Sequence, residues 1–511
     1  MAGLVVGQRM ARAGIHVITL ESGGLAFDDH VHQLNQIEDI SGRYTRIMTG
    51  RYRGLGGSSS HWGGRMLPIS RHEKGNRDYL GQPPWPILPE ETDRYEADID
   101  KLFRLAPGSF EEDVLETVDP AAAFPRNDPD FVCRWAKWPK FIHCNLGALM
   151  RKEIEARHNW DVWINATVTS FTMNRECGRL ASVTARGPDG RPMTVSASHF
   201  VIAAGTLEST RLLLWMNAET DDRPFQRTDC LGRNFQDHIM ARIASVCRRE
   251  TASTNRLFSQ HFVKGTRRSV HLELSPQAQR EDCVSAGFAY VAMDYELSPM
   301  AALKDVARGI QAGRPEVLKI LGLAPKAGFL GRAAYWRYVR HQLFMPKEVS
   351  FHIEAVCEQM PVAENQVKLS FNRDRLGVPK IKLNWHPTDA DERTFRSLAS
   401  RIERYWHRNG LDRAAPLSWT TGFFNPSFQI IDGAVDYAHP SGTTRMGLDP
   451  SNSVVNVDLA CHNVPNLSVV SASVFPTAGS ANPTFTLMEL AMRLADRLIA
   501  ELSTLGLRFL V

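Results

Sequence analysis

A helix, a short strand and a terminal acidic residue open this chain in that order, and few folds use such a sequence. AGLVVGQRMARAG (Ala2–Gly14) carries Leu4, Val5, Met10 and Ala11 at helical spacing, with Gly14 as a stop. IHVITLES follows as a β-rich run ending at Glu21, and Gly23-Gly24 breaks it. This is the second half of a Rossmann βαβ unit, in which the acidic residue accepts hydrogen bonds from a cofactor ribose. Gly3 would be the third glycine of the fingerprint, giving close helix–strand packing. Taken alone, Glu21 reads equally well as a carboxylate at a strand end facing water. The first strand and the first two glycines of the unit are absent, because Met1-Ala2-Gly3 already stands where the third glycine belongs. The expectation is therefore a Rossmann-like sheet without its first strand, with a true start upstream of Met1 favoured over a decaying gene copy.

MTGRYRGLGGSSSHWGGR (Met48–Arg65) has too many glycines for a helix and too few β-branched residues for a long strand. Gly54, Gly56, Gly57, Gly63 and Gly64, with three serines, let backbone approach a phosphate closely and offer N–H and hydroxyl donors. A flexible surface loop is the alternative, but the embedded His61-Trp62 pair argues against it. His61 suits a core position, a substrate contact or a covalent anchor.

Strand–turn–helix grammar returns in VWINATVTSF and in SHFVIAAGTLESTRLLL, where a strand ends at Ala204-Gly205 and a helix opens. Between about Ala241 and Ile431, pieces such as VSFHIEAVCEQ and NQVKLSF alternate apolar and polar residues, the mark of half-buried antiparallel strands. NLSVVSAS and TFTLMELAMRLADRLIAEL close the chain as strand and helix. The fold class expected is α/β: a discontinuous nucleotide domain (1–75, 142–240, 432–511) with an inserted antiparallel-sheet substrate domain (76–141, 241–431).

A net charge of +4 over 60 basic and 56 acidic residues is too weak to make nucleic acid the partner. No run of about 18 apolar residues occurs, so no transmembrane helix is expected. Eight scattered cysteines, without CxxC spacing, point to reduced thiols and no zinc site, and no secretory leader is visible, so the expected location is cytoplasmic. The segment Ala301–Lys347 holds nine Lys/Arg against two Asp/Glu. A solvated basic insertion near the site mouth is favoured there over a membrane or partner-docking surface, and a lid is a further use.

The C-terminal region carries the chemistry. HPSGTTRMG (His439–Gly447) places a histidine before Pro-Ser-Gly, and Asn482 stands just before Pro483. Oxidising an alcohol by hydride transfer requires a group to take the hydroxyl proton, and an imidazole near its ordinary pKa of about 6.5 suits that work. A neighbouring amide orients an alkoxide without titrating.

These blocks, together with LGRNFQDH (Leu231–His238) and the EQ.P..NQVKLS and D.LG.P pieces around Glu358–Pro379, resemble the glucose–methanol–choline (GMC) oxidoreductase family and run in family order along the chain. The resemblance implies non-diffusing FAD between the nucleotide domain and the inserted sheet. It implies Glu21 on the adenosine ribose, backbone of Val168 on the adenine, and Gly56, Gly57, Ser58 and Ser60 on pyrophosphate and flavin. It extends the cofactor contacts to Gly3, Ala204, Gly205, Ala472, Pro483 and Thr484. His439 would be the catalytic base and Asn482 its partner, and His61 matches the position that some members bond covalently to flavin. Ser471 departs from the acidic residue often found before the Ser-x-x-Pro step. The implied activity is oxidation of a CH–OH group in a sugar, glycoside or other alcohol, dehydrogenase preferred, with the electron acceptor open. The rivals are a peroxide-forming oxidase and a non-catalytic flavin-binding descendant. A nicotinamide enzyme would want one intact GxGxxG and no GGSSSHWGG loop.

Overall fold

The computed structural model describes residues 1–504 apart from 112–113, 115–123, 175, 177, 222, 227, 313–321, 323, 421 and 426. Helix α1 (Ala2–Arg12) buries Leu4, Val5, Met10 and Ala11, the side chains its periodicity marks. The chain reverses at Gly14, whose φ of 85° suits a residue without a Cβ. It then enters β1 (Val17–Leu20). β1 runs parallel to β2 (Trp160–Trp163), with Val17 opposite Trp160 and Leu20 opposite Trp163. β3 (Phe200–Ile202) leads through Gly205 into α2 (Thr206–Glu219), and β3 pairs in parallel with β4 (Leu467–Val469).

No described strand joins the two pairs, so the parallel layer consists of two half-sheets. α1 approaches the end of β3 so closely that a Cβ on Gly3 would stand 3.1 Å from Ala203 Cβ. The final helix α3 (Thr484–Thr504) buries Phe485, Met488, Leu490, Leu494 and Leu498 in the core that also holds α1. Each such side chain contributes about 1.5–3 kcal/mol when fully buried. Arg9 of α1 reaches Asp496 of α3 at 3.0 Å, so the two ends of the chain are held together by apolar burial and a charged pair.

The second layer is an eight-stranded sheet, antiparallel at every pairing. Its centre runs Thr266–Leu274, Gly287–Asp294, Ser350–Glu358, His238–Val246. The helix Asp389–Arg408, opened by a Thr388/Asp391 capping box, covers one face with Phe395, Leu398, Ile402, Tyr405 and Trp406. Phe351, Ile353 and Ala355 point into that core. The alternate residues therefore line the opposite face, where Tyr290 lies across from Glu354 and Glu354 across from Arg242.

The sheet takes in His238–Met240 and Val435–Asp436, beyond the expected 241–431 segment. Alternation along a strand cannot say where pairing starts, because the pairing partner lies elsewhere in the chain. Ile37–Asp39, from the first nucleotide segment, also pairs in parallel with Pro379–Asn384.

Among the described residues no helix is long and apolar enough to cross a membrane, and the seven described cysteines are free thiols, Cys177 lying outside them. Of the basic segment 301–347, residues 313–321 and 323 lie outside the described residues. Its first helix, Pro299–Gln311, docks on the glycine loop: Gln311 Nε2 donates to the carbonyl oxygens of Trp62 at 2.9 Å and Ser59 at 3.3 Å.

Candidate functional site

The glycine loop earns its glycines at specific atoms. Gly56 and Gly57 have φ of 96° and 56°, in the left-handed region. A Cβ on Gly56 would stand 2.7 Å from Gly147 N and 2.9 Å from Asn145 Oδ1. The turn Gly57–Ser60 closes on itself, Ser59 Oγ donating to Gly56 O at 2.6 Å and Ser60 Oγ to Gly57 O at 2.9 Å. Ser58 Oγ reaches Gly50 O at 3.4 Å.

Glu21 leaves β1 directly against this loop, its carboxylate accepting from Gly23 N at 2.8 Å and Gly54 N at 3.0 Å. Burial raises its pKa, and the two N–H donors and Arg53 oppose that rise. Val168 sits nearby, because Ala166 N donates to Glu21 O at 2.9 Å just before the strand Thr167–Asn174 begins. Gly205, with φ of 78°, ends the β3 turn, and no atom lies within 4 Å of where its Cβ would be. Thr206 Oγ1 then donates to Pro440 O at 2.6 Å, tying this turn to the histidine loop. The glycine loop meets the same place from the other side: a Cβ on Gly50 would stand 2.7 Å from Ala438 Cβ.

His439 and Asn482 come together, with Asn482 Nδ2 3.2 Å from His439 Nε2. Asn482 is held at the start of α3, flanked by Pro483 and Thr484, and its Oδ1 is buried without a hydrogen-bond partner. Ala472 accepts from Gly442 N through its carbonyl at 3.2 Å, clamping the histidine loop to the turn after β4. His61 lies apart from this pair in character: exposed, stacked on Tyr52 at 3.8 Å, with Nδ1 2.7 Å from Ser60 Oγ.

Several residues around His439 had no role assigned from sequence. His238 Nδ1 lies 2.8 Å from His439 Nδ1, and His238 Nε2 lies 2.7 Å from Gly479 O. Asp237 accepts from His439 N at 2.8 Å and from Tyr44 Oη at 2.7 Å, fixing the backbone of the loop. Burial and nearby Asp436 push the Asp237 carboxyl up to about 8. Both residues lie in the LGRNFQDH block, directly before the apolar strand that begins His238-Ile239-Met240, and that junction was the available signal.

The open face of the large sheet forms a polar wall beside this pair. Tyr437 packs edge-on to His439 at 4.9 Å, and its hydroxyl meets Tyr290 Oη at 2.9 Å. Tyr290 donates to Glu354 at 2.5 Å, and Arg242 stands 3.6 Å from the same carboxylate. Arg65 lies over the Tyr290 ring at 4.2 Å, and Arg46 over Tyr437 at 5.6 Å. Burial first, then the neighbouring His238, Arg46 and Arg65, hold His439 well below its ordinary pKa. The ring is therefore neutral at pH 7, its pKa below the ordinary value that sequence reading expected of it, and any negative charge forming beside it meets two guanidinium groups.

Residues 361–491 match the family model described as GMC oxidoreductase. Paromamine 6'-oxidase of Streptomyces fradiae is 29% identical over 154 residues, 30% of this chain and 26% of that protein. The fructose dehydrogenase large subunit of Gluconobacter japonicus is 25% identical over 342 residues, 66% of this chain and 54% of that one. The chain thus spans about a quarter to about half the length of these relatives. Formate oxidase of Aspergillus oryzae, solved as an R554A variant for its effect on FAD modification, superposes with a TM-score of 0.60 at 16% identity, covering 99% of this chain and 97% of that one.

Proposed function

Because the chain belongs to the GMC oxidoreductase family, we propose that it is an FAD-dependent oxidoreductase that oxidises a CH–OH group of a sugar, glycoside or related alcohol, with His439 as base. One observation carries this reading: a neutral histidine and an amide with a free buried oxygen meet where the glycine loop and the polar wall converge.

The residues fit FAD. Gly205 leaves open space at a helix N-terminus, where backbone N–H groups attract phosphate. Gly56 and Gly57 hold backbone conformations that bring N–H groups close to a ligand. Gly3, Glu21, Val168, Ala204, Ala472, Pro483 and Thr484 complete the set that would hold it. When bound, FAD supplies the two-electron acceptor for hydride from the carbinol carbon.

The chain's own residues handle the proton. The alcohol hydroxyl lies between His439 Nε2 and Asn482, donating its hydrogen to the imidazole as the C–H bond weakens. Asn482 Oδ1, otherwise unpaired, accepts a second hydroxyl of the substrate, and leaving it unmet costs about 1–3 kcal/mol. Arg46 and Arg65 stabilise the alkoxide charge. Tyr437, Tyr290, Glu354 and Arg242 offer donors and acceptors in a row, which suits a polyhydroxylated substrate better than a simple alkanol.

Relatives divide between oxidase and dehydrogenase names, so the acceptor is tested together with the substrate. Purified protein reconstituted with FAD is screened anaerobically with sugars, glycosides and alcohols for flavin bleaching, then reoxidised with oxygen or a quinone. His439→Ala retains the flavin but slows bleaching by about 10²–10⁴-fold. Equal bleaching rates in wild type and His439→Ala refute the base assignment, and a folded preparation that takes up no FAD refutes the cofactor.

A further inference from the structure

A neutral imidazole carries one hydrogen, and His439 serves as a base at Nε2 only if that hydrogen sits on Nδ1. The hydrogen bonds around the ring decide the matter. The carbonyl oxygen of Gly479 can only accept, so His238 Nε2, 2.7 Å away, carries a hydrogen. His238 is 1% exposed, and burial lowers its pKa, so the ring is neutral and its Nδ1 is a bare lone pair. His439 Nδ1, 2.8 Å from that lone pair, must then be the donor. Its Nε2 is left unprotonated. The other side of the ring is consistent with this: with the Asn482 amide turned as it is, the atom facing Nε2 at 3.2 Å is Nδ2, which can only donate.

We propose that His238 is a positioning residue that holds His439 in its Nδ1–H tautomer and so presents Nε2 to the substrate hydroxyl. This rests on the reading of His439 as the base. When the hydroxyl proton arrives at Nε2, the ring becomes an imidazolium and its Nδ1–H bond to His238 becomes charge-assisted, about twice as strong as before. No proton passes to His238, whose own hydrogen stays on Nε2 against Gly479. That anchor is firm, since Gly479 N donates to Glu358 Oε1 at 2.9 Å and Glu358 is paired with buried Arg77. His238 thus orients the base and eases its positive charge without touching substrate.

Long-range proton–nitrogen NMR on the full chain, labelled with ¹⁵N-histidine, reads the tautomer directly, with the His439 signals identified by their loss in His439→Gln. In the wild type His439 carries hydrogen on Nδ1 and none on Nε2. His238→Asn, which keeps an acceptor oxygen near the place of Nδ1, preserves that pattern and keeps flavin reduction within about tenfold. His238→Leu removes the acceptor, lets hydrogen move to Nε2, and slows reduction by about 10²–10⁴-fold, the range between a lost supporting partner and a wrong tautomer. Hydrogen on Nε2 of wild-type His439, or an Nδ1–H pattern that survives in His238→Leu, overturns the proposal. Should His238→Leu not fold, the wild-type and His238→Asn spectra still decide it. A correct tautomer with full activity in His439→Ala would instead fault the base assignment and leave the positioning of the ring intact.

Discussion

Arg77→Met should lower the stability of the protein by about 3–5 kcal/mol, the cost of breaking one side of a buried ion pair. Arg77 and Glu358 are 1% and 0% exposed at their side chains and meet in a two-pronged pair, NH1 to Oε2 at 2.5 Å and NH2 to Oε1 at 2.9 Å. The same carboxylate accepts from Gly479 N at 2.9 Å and Ala286 N at 3.2 Å. Methionine fills most of the arginine volume, so the loss is electrostatic: Glu358 keeps its two N–H donors but has no counter-ion. Unfolding entropy of about 2.1 cal/mol/K per residue gives roughly 1 kcal/mol/K for a chain of this length, so the melting temperature should fall by about 3–5 °C. Arg77→Met/Glu358→Gln should recover roughly half of that loss, because the buried charge is gone and the amide oxygen still serves one of the two N–H groups, Gly479 N and Ala286 N bonding to different oxygens of the carboxylate. Calorimetry and urea midpoints at pH 7 measure both variants. A single variant within about 1 °C of wild type, or a double variant less stable than the single one, would show that the pair is not what holds this junction.

Glu489 is fully buried on α3, and burial, with Glu96 and Asp93 nearby, raises its pKa to about 8 against the pull of Lys74 and Thr486. The folded state therefore holds a proton that the unfolded chain releases near pH 4, so its share of stability is complete below about pH 4 and lost as pH rises to about 8, at up to about 1.4 kcal/mol per unit. Glu489→Leu should gain on wild type in urea midpoints between pH 5 and pH 8, by on the order of 3 kcal/mol, and a pH-independent difference counts against this. Gly442, with φ of 88°, has no room for a Cβ, which would stand 2.5 Å from Gln236 Nε2. Gly442→Ala should cost about 1–2 kcal/mol in backbone strain plus about 1–3 for the clash, and normal soluble yield with an unshifted melt would contradict it. Acid precipitation of the flavin-loaded protein tests His61: colour kept in the pellet, and released by His61→Ala, marks a covalent link, whereas a white wild-type pellet assigns His61 to packing on Tyr52.

Local pattern in the chain was enough to mark α1, β1, the glycine loop, β3 with its turn at Gly205, and α3, since periodicity and backbone freedom act over a few residues. His439 and Asn482 stand out as candidates only through the resemblance of their blocks to the GMC family, since a lone histidine or amide has no local signature of its own. What local pattern could not decide is anything that depends on pairing between distant segments. The strand His238–Val246 and the two residues Val435–Asp436 join one sheet because of partners far along the chain. The parallel strands separate into two pairs for the same reason, each finding a neighbour more than a hundred residues away. The histidine loop shows the limit most sharply. His238 stands 201 residues before His439, and nothing local to either one says that their Nδ1 atoms meet. Only folding brings the carbonyl of Gly479, the ring of His238 and the ring of His439 into one line, and a proton's place on an imidazole is set by what the opposite nitrogen touches.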